Sequence, residues 1–275
     1  MGVSKNSPQV AFGSVVGSRH WSCFKNNQDG YAVSWTANRR YLVGTVTDGI
    51  SSCPHAEVGA KLVAHYLVQL LISHLNHVPP SAIHWGVVKD GLVSYLRNLT
   101  LLSLVPNDRP YIKSFARDHL SCVVAGFILG PRSLTFFRWG DPVFVVNGKV
   151  DSIDYPNNCP PAPCYEVWES TAVNPAEQKF VARTRSRKGI KHFMVASDGI
   201  LELIGNDRRR GGDGRLVGGL SQFWNDDSLF CDSKALNLRL RQIGFHPVKT
   251  SRIGVQRMVS TGILSDDTTA IVVKM

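Results

Sequence analysis

The chain has 275 residues, 43% of them apolar, enough to bury one sizeable core, and its acidic motifs run from end to end, which favours one domain over two. Its 31 Lys and Arg against 21 Asp and Glu leave a net charge of +10, which suits acidic or phosphorylated partners; the charge is spread along the chain, which argues against a nucleic-acid arm. The six cysteines form no CxxC pair, the start MGVSKNSPQ lacks a signal-peptide core, and no apolar run approaches the ~20 residues of a membrane span, so reduced thiols, a cytoplasmic location and no membrane insertion are expected.

In chain order, QVAFGSVVG (9–17) reads as a first strand, followed by a polar loop ending in Asn27-Gln28-Asp29. GYAVSW (30–35) alternates as a strand, Asn38-Arg39-Arg40 turns the chain, and YLVGTVTDG (41–49) is a buried strand that delivers Asp48 to a sheet edge. Gly49 permits a sharp turn that brings its own carbonyl close. A helix starts near Ala56 or Glu57, with Val58, Leu62, Tyr66, Leu70 and Val63, Leu67, Leu71, Leu75 as two adjacent core-facing rows. A second follows Pro79-Pro80, with Ser81 as N-cap and Ile83, Val87, Val88, Leu92, Leu96 and Leu99 inside.

From Leu120 the period changes. LSCVVAGFIL, SLTFFRWGD and PVFVVNGKV read as an antiparallel meander, the last with an Asn147-Gly148 hairpin turn. Residues 151–190 carry five prolines and little periodicity, the signature of an irregular flap, in which Cys159 and Cys164 bracket a Pro-rich turn that leaves a bridge or metal site open. HFMVASDG (192–199) is a second apolar run ending in Asp-Gly, and Arg208-Arg209-Arg210 with Gly-Gly-Asp-Gly is an exposed loop. Ser233 caps a helix whose inner face is Leu236, Leu240 and Ile243, ended by Gly244 and Pro247, and Asp266-Asp267 lead into the last strand.

Asp48, Asp198 and the Asp266-Asp267 pair thus sit at the tips of three apolar runs. Each alone is an ordinary turn residue or helix cap. Together they suggest one divalent-metal centre of hard oxygen ligands suited to Mg²⁺ or Mn²⁺, with an aspartate shared between two cations.

At this point the sequence resembles the metal-dependent serine/threonine protein phosphatases of type 2C, closest to a divergent bacterial branch. GSRHWSCFKNNQD, VTDGISSCPHAEVGA, RDHLSCVVAGFI, RWGDPVFVVNGKV, FMVASDG and SDDTTAIVV carry the resemblance, in the family's order, from residue 17 to 273. It implies an α+β fold, a four-layer α-β-β-α sandwich of two antiparallel sheets flanked by helices, spanning 1–275 as a single phosphatase-like domain with the metals in a cleft at one end. It implies two divalent cations, Mn²⁺ or Mg²⁺, and hydrolysis of phosphoserine or phosphothreonine in a phosphorylated protein by direct attack of a metal-bridging water.

Carried over by residue, the resemblance makes Asp48 the bridge between the metals, with the Gly49 carbonyl helping to hold the second. Asp198 and Asp266 fall to the first metal, Asp29 to the second, and Asp118 to a weaker third. Asp267 stands where the family often has Asn, which implies hydrogen-bonding support, and Asp141 fixes a strand turn. Two departures stand out. The family's phosphate-holding arginine position is Phe24, leaving Lys25, Arg19 or His20 to replace it, and the histidine after Asp-Gly is Ile50, leaving His20 and His55 as candidate proton donors. These losses frame an alternative, a pseudophosphatase that binds phosphoproteins as a scaffold, against which the retained aspartates argue.

Overall fold

A computed structural model describes residues 7–102, 109–168, 174–210, 215–244, 248–250, 256–258 and 262–275. In chain order the strands and helices are β1 (Gln9–Val15), α1 (Ser18–Ser22), β2 (Gly30–Trp35), β3 (Leu42–Gly49), α2 (Ala56–Leu75), α3 (Trp85–Leu102), α4 (Arg109–Leu120), β4 (Cys122–Leu129), β5 (Ser133–Trp139), β6 (Val143–Val146) and β7 (Lys149–Asp151). They continue as α5 (Tyr165–Trp168), β8 (Val181–Ser186), β9 (His192–Ala196), α6 (Gln222–Asn225), α7 (Ala235–Gly244), β10 (Val248–Thr250), β11 (Gln256–Met258) and β12 (Thr268–Lys274).

Two five-stranded antiparallel sheets form, ordered β1-β12-β9-β6-β7 and β2-β3-β4-β5-β8, beside a small β10-β11 pair. Side chains alternate across a strand, so each sheet buries two faces. The inner faces meet in an aromatic-rich layer that includes Phe127, Phe136, Phe144, Phe193 and Ile271. On the outer faces, α2, α3 and α4 cover the second sheet through Leu67, Leu71, Leu92, Leu96 and Leu120, while α6 and α7 cover the first through Phe223, Leu236, Leu240 and Ile243. The result is the four-layer α-β-β-α sandwich, each large buried side chain contributing about 1.5–3 kcal/mol relative to exposure.

The α2 helix fixes the strand that carries Asp48. Thr45 and Thr47, buried on the outer face of β3, donate to the α2 carbonyls of Ala64 and Ala60 at 2.8 Å each. Polar groups that would be costly in a core instead lock strand to helix.

Several expectations need correction. Val63, Leu67, Leu71 and Leu75 form the buried row of α2, but Val58 and Leu62 are exposed, because Ala60 and Ala64 give the close approach to the sheet, while Gly59 lets the backbone of α4 come close at Leu120. By length and composition α2 could cross a membrane, contrary to the sequence expectation; its apolar stripe is spent on the core. Pro80–Ala82 forms a separate turn and α3 starts at Trp85, so Ser81 is not its cap, Ile83 precedes it, and Val87 faces outward. The α4 helix was not foreseen. The meander breaks at Gly140-Asp141-Pro142, where the chain leaves one sheet for the other, since β6 pairs with β9. Within the expected flap, Val181–Ser186 is strand β8 on the edge of β5; residues 169–173, the Gly-Gly-Asp-Gly segment and Pro247 lie outside the described residues. All six cysteines, Cys159 and Cys164 included, are free thiols.

Candidate metal centre

The register of the two sheets brings their acidic ends together. Asp48 sits opposite Val123 near the end of β3, Asp29 just precedes β2, Asp198 just follows β9, and Asp266 just precedes β12. The electrostatics show their convergence: burial raises the Asp48 pKa well above the carboxylate range, and the charges of Asp29, Asp198, Asp141 and Asp266 raise it further. Asp198 is raised by burial and by the charge of Asp266, a rise that the nearby Asp48 carboxyl partly offsets.

Asp29 is the most deeply buried of the group. Burial and the neighbouring charge of Asp267 raise its pKa well above normal. Ser197 Oγ donates to its Oδ2 at 2.8 Å, and its buried Oδ1 has no hydrogen-bond partner among the described residues. A carboxylate oxygen left orphaned among like charges is costly, and a cation removes that cost.

Asp267 ties this end of the molecule together. Its Oδ1 accepts from the Gly17 amide at 2.7 Å, and its Oδ2 accepts from the Gln28 amide at 2.6 Å and from His20 Nδ1 at 2.7 Å. One carboxylate thereby joins the loop before α1, the loop before β2 and the turn before β12, setting Asp29 and Asp266 in place. Glu202 accepts from both the amide and the hydroxyl of Ser265, which holds the other side of Asp266. Gly49 is required by space rather than by a turn: a Cβ there would lie 2.5 Å from the Gln28 carbonyl oxygen. Gly199 answers the same demand, its Cβ position lying 2.2 Å from the Asp267 carbonyl oxygen.

The remaining candidates divide. Lys25 reaches this end, donating from Nζ to the Ser51 carbonyl at 2.8 Å, just past the Asp48-Gly49 end of β3. Arg19 is exposed, its amide bonded to the Ser265 carbonyl next to Asp266. His20 is buried and fixed by Asp267, which raises its pKa. His55 instead stacks on His119 with ring centroids 5.0 Å apart. Asp118 lies in the last turn of α4, paired to Arg117 Nε at 2.7 Å, and that pairing lowers its pKa. It is absent from the charges that act most strongly on Asp48 and Asp198.

Sequence reasoning passed over Asp141 as a member of the cluster. It follows the crossing between sheets at Gly140, and burial, then the charge of Asp198, pushes its pKa up to about 6. A cavity of about 90 Å³ lies between Asp141 and Asp198, closed by Ser152, Tyr155 and Asn158 of the flap. Ser197 and Glu202 were missed too; the only signal was a serine before Asp-Gly and one acid inside the apolar run ILELI.

The donor set is hard oxygen from carboxylates with no nearby cation among the strongest charges acting on Asp48, which fits Mg²⁺ or Mn²⁺ by chemistry. The orphaned Asp29 oxygen supports that fit. Among the described residues, no three acidic, histidine or cysteine side chains already surround one point at ligating distance.

A sequence model described as Protein phosphatase 2C matches residues 16–230, a span that holds Asp29, Asp48, Asp141 and Asp198. The chain belongs to the protein phosphatase 2C family. Among solved structures, this 2C phosphatase family member is similar to the serine/threonine phosphatase Stp1 from Staphylococcus aureus, with 10% identity, a TM-score of 0.52, and coverage of 100% of this chain and 99% of that one. A bacterial serine phosphatase is similar at 11% identity and a TM-score of 0.52, covering 98% of each chain. At such identity the likeness is one of fold, and it agrees with the two flanked antiparallel sheets. No curated protein sequence matches the chain. Within this 2C fold, Phe24 stands fully exposed at φ 57°, and Ile50 packs with a small apolar cluster that includes Val123, Cys164 and Tyr165.

Proposed function

We propose that the chain is a metal-dependent protein phosphatase acting on phosphoserine and phosphothreonine. The observation that carries this reading is the convergence of Asp29, Asp48, Asp141, Asp198 and Asp266, all without a countercharge among the strongest influences on Asp48. Asp48, Asp198 and Asp266 would hold one divalent cation, and Asp29, Asp48 and the Gly49 carbonyl a second. Such cations, when bound, supply an activated water and neutralise phosphoryl oxygens.

The chain's own residues supply the rest. Lys25, at the rim just past the Asp48-Gly49 end of β3, has donors left over from its bond to Ser51 and can hold a phosphoryl oxygen as a point charge. Asp267 and Glu202 keep the acidic loops in register, and the flap residues Tyr155 and Asn158 restrict water beside Asp141 and Asp198. His20, tied through Nδ1, holds a proton at the edge of the cluster and serves as a positioning group. Asp118, apart from these, belongs at most to a further weak cation.

The replacement of arginine by Phe24 and of histidine by Ile50 favours one second reading, a binding module that keeps the fold without turnover. Hydrolysis of p-nitrophenyl phosphate and phosphothreonine peptides with Mn²⁺, Mg²⁺ or EDTA separates the two. The phosphatase reading expects turnover that needs the cation and is lost in Asp48→Asn. Cation binding with no turnover by the native chain supports the module, and turnover that survives Asp48→Asn overturns the proposed centre.

A further inference from the structure

The two sheets part along the edge formed by β7 and β8. The mouth is a cavity of about 670 Å³ with Phe136 and Phe144 as its floor. Arg138, Arg183, Arg185 and Lys149 line it against a single carboxylate, Asp151. Arg185 lies over the ring of Phe136 at 5.2 Å and Arg138 over Phe144 at 5.5 Å, so aromatic faces hold the guanidinium planes. Among the described residues, Arg183, Arg185 and Lys149 form no ion pair.

Charged side chains on an edge strand often only guard against aggregation, and that accounts for Arg183 and Arg185. It does not account for Arg138. This arginine is 7% exposed; its Nη2 donates to Asp151 at 3.3 Å, while its buried Nη1 has no partner among the described residues. A buried, under-satisfied guanidinium at the base of a cationic mouth calls for an anion.

The geometry selects the form of that anion. Among the described residues β8 ends its sheet and pairs only with β5, which leaves its outer backbone edge to another extended chain. Val181, Arg183 and Arg185 all line the mouth, whereas Thr184 points the other way, to Thr135 at 2.8 Å. Residues two apart on a strand are about 6.5–7 Å apart. An extended peptide added beside β8 therefore meets Arg183 and Arg185 with acidic residues two apart. The mouth and the small cavity beside Asp141 and Asp198 share Ser152, so the two adjoin, with the Val181 end of β8, opposite Arg138, the end nearer Asp141.

We propose that the mouth between β7 and β8 docks an acidic segment of the phosphoprotein substrate as an added strand, with carboxylates at alternate positions on Arg183 and Arg185. The link to substrate rests on the phosphatase reading above; docking itself does not.

The test uses the full chain and fluorescein-labelled, non-phosphorylated peptides of alternating Glu and Thr, beside a peptide of the same composition with its Glu residues in one block. Fluorescence anisotropy is expected to show tighter binding of the alternating peptide. The Arg183→Glu/Arg185→Glu variant, changed only on the exposed edge, is expected to bind it about tenfold or more weakly. In turnover, acidic flanks are expected to lower KM for a phosphothreonine peptide in the native chain only, with p-nitrophenyl phosphate hydrolysis unchanged. Equal binding of the two peptides, no binding of either, or unchanged affinity in a variant that keeps the native Tm overturns the proposal. So does loss in the variant of binding to phosphatidylserine vesicles or an oligonucleotide without loss of peptide binding. A chain that docks the peptide yet hydrolyses nothing refutes the phosphatase reading alone.

Discussion

Asp141→Asn tests the crowded carboxylates directly. Burial and the charge of Asp198 raise the Asp141 pKa from 3.8 to about 6. Between those values the folded chain holds a proton that the unfolded chain has released, so stability falls as pH rises through this window and stays low above it. A shift of about two units corresponds to ~3 kcal/mol. Because the side chain is only partly buried, solvent screening reduces this to ~1–2 kcal/mol. At pH 7.5 in EDTA, Asp141→Asn is therefore expected to stabilise the chain, raising Tm by ~2–8 °C for a chain of this size. The gain should shrink as the pH falls toward 4. Scanning calorimetry of both proteins across pH 4.5–8 measures it. A difference in Tm that does not change with pH, or a variant less stable at pH 7.5, would refute the electrostatic account of this cluster.

The remaining expectations concern the supports of the centre. Asp267→Ala strips the partners from the Gly17 and Gln28 amides and leaves His20 buried alone, at a cost of ~3–5 kcal/mol in urea unfolding. Since Asp267 raises the His20 pKa, the stability of the charged pair is complete below pH 6.5 and fades as pH rises through the raised value, so the gap to the native chain should narrow in alkali. A constant gap, or a loss below ~1 kcal/mol, would contradict the role given to Asp267. Asp118→Asn removes a carboxylate that pairs with Arg117 outside the cluster, and the rise in Tm produced by Mn²⁺ should be unchanged; a large loss of that rise would place Asp118 in the main centre.

Much of the fold was legible because local periodicity and tertiary demand agree. The alternation of GYAVSW, the run LVGTVTDG and the row Val63, Leu67, Leu71, Leu75 each point to one partner surface, and each is found there. Misreadings cluster where the partner decides. Val181–Ser186 has a polar, largely exposed pattern and becomes a strand only because β5 offers an edge. PVFVV looks like the next strand of a meander, yet Gly140, at φ +117°, and Pro142 carry it to the other sheet. Nothing in a hydrophobic pattern records which sheet a strand joins.

The placement of the clustered carboxylates was legible in the same uneven way. Asp-Gly at the end of an apolar run is a local signal, and both copies lie where that signal placed them. The glycine, however, acts by lacking a Cβ against a segment distant in sequence, Gln28 for Gly49 and Asp267 for Gly199. Asp141 has no such local mark; its membership follows from the crossing between sheets that sequence reading missed. The mouth beside β8 was hidden for the same reason. Arg183 and Arg185 sit in a stretch read as irregular, and their alternation has meaning only once that stretch is a strand. Features set by one segment alone were therefore readable, whereas those requiring two segments to meet, at Asp141 and at the cationic edge, needed the fold, and both lie along the chain that enters and leaves the flap.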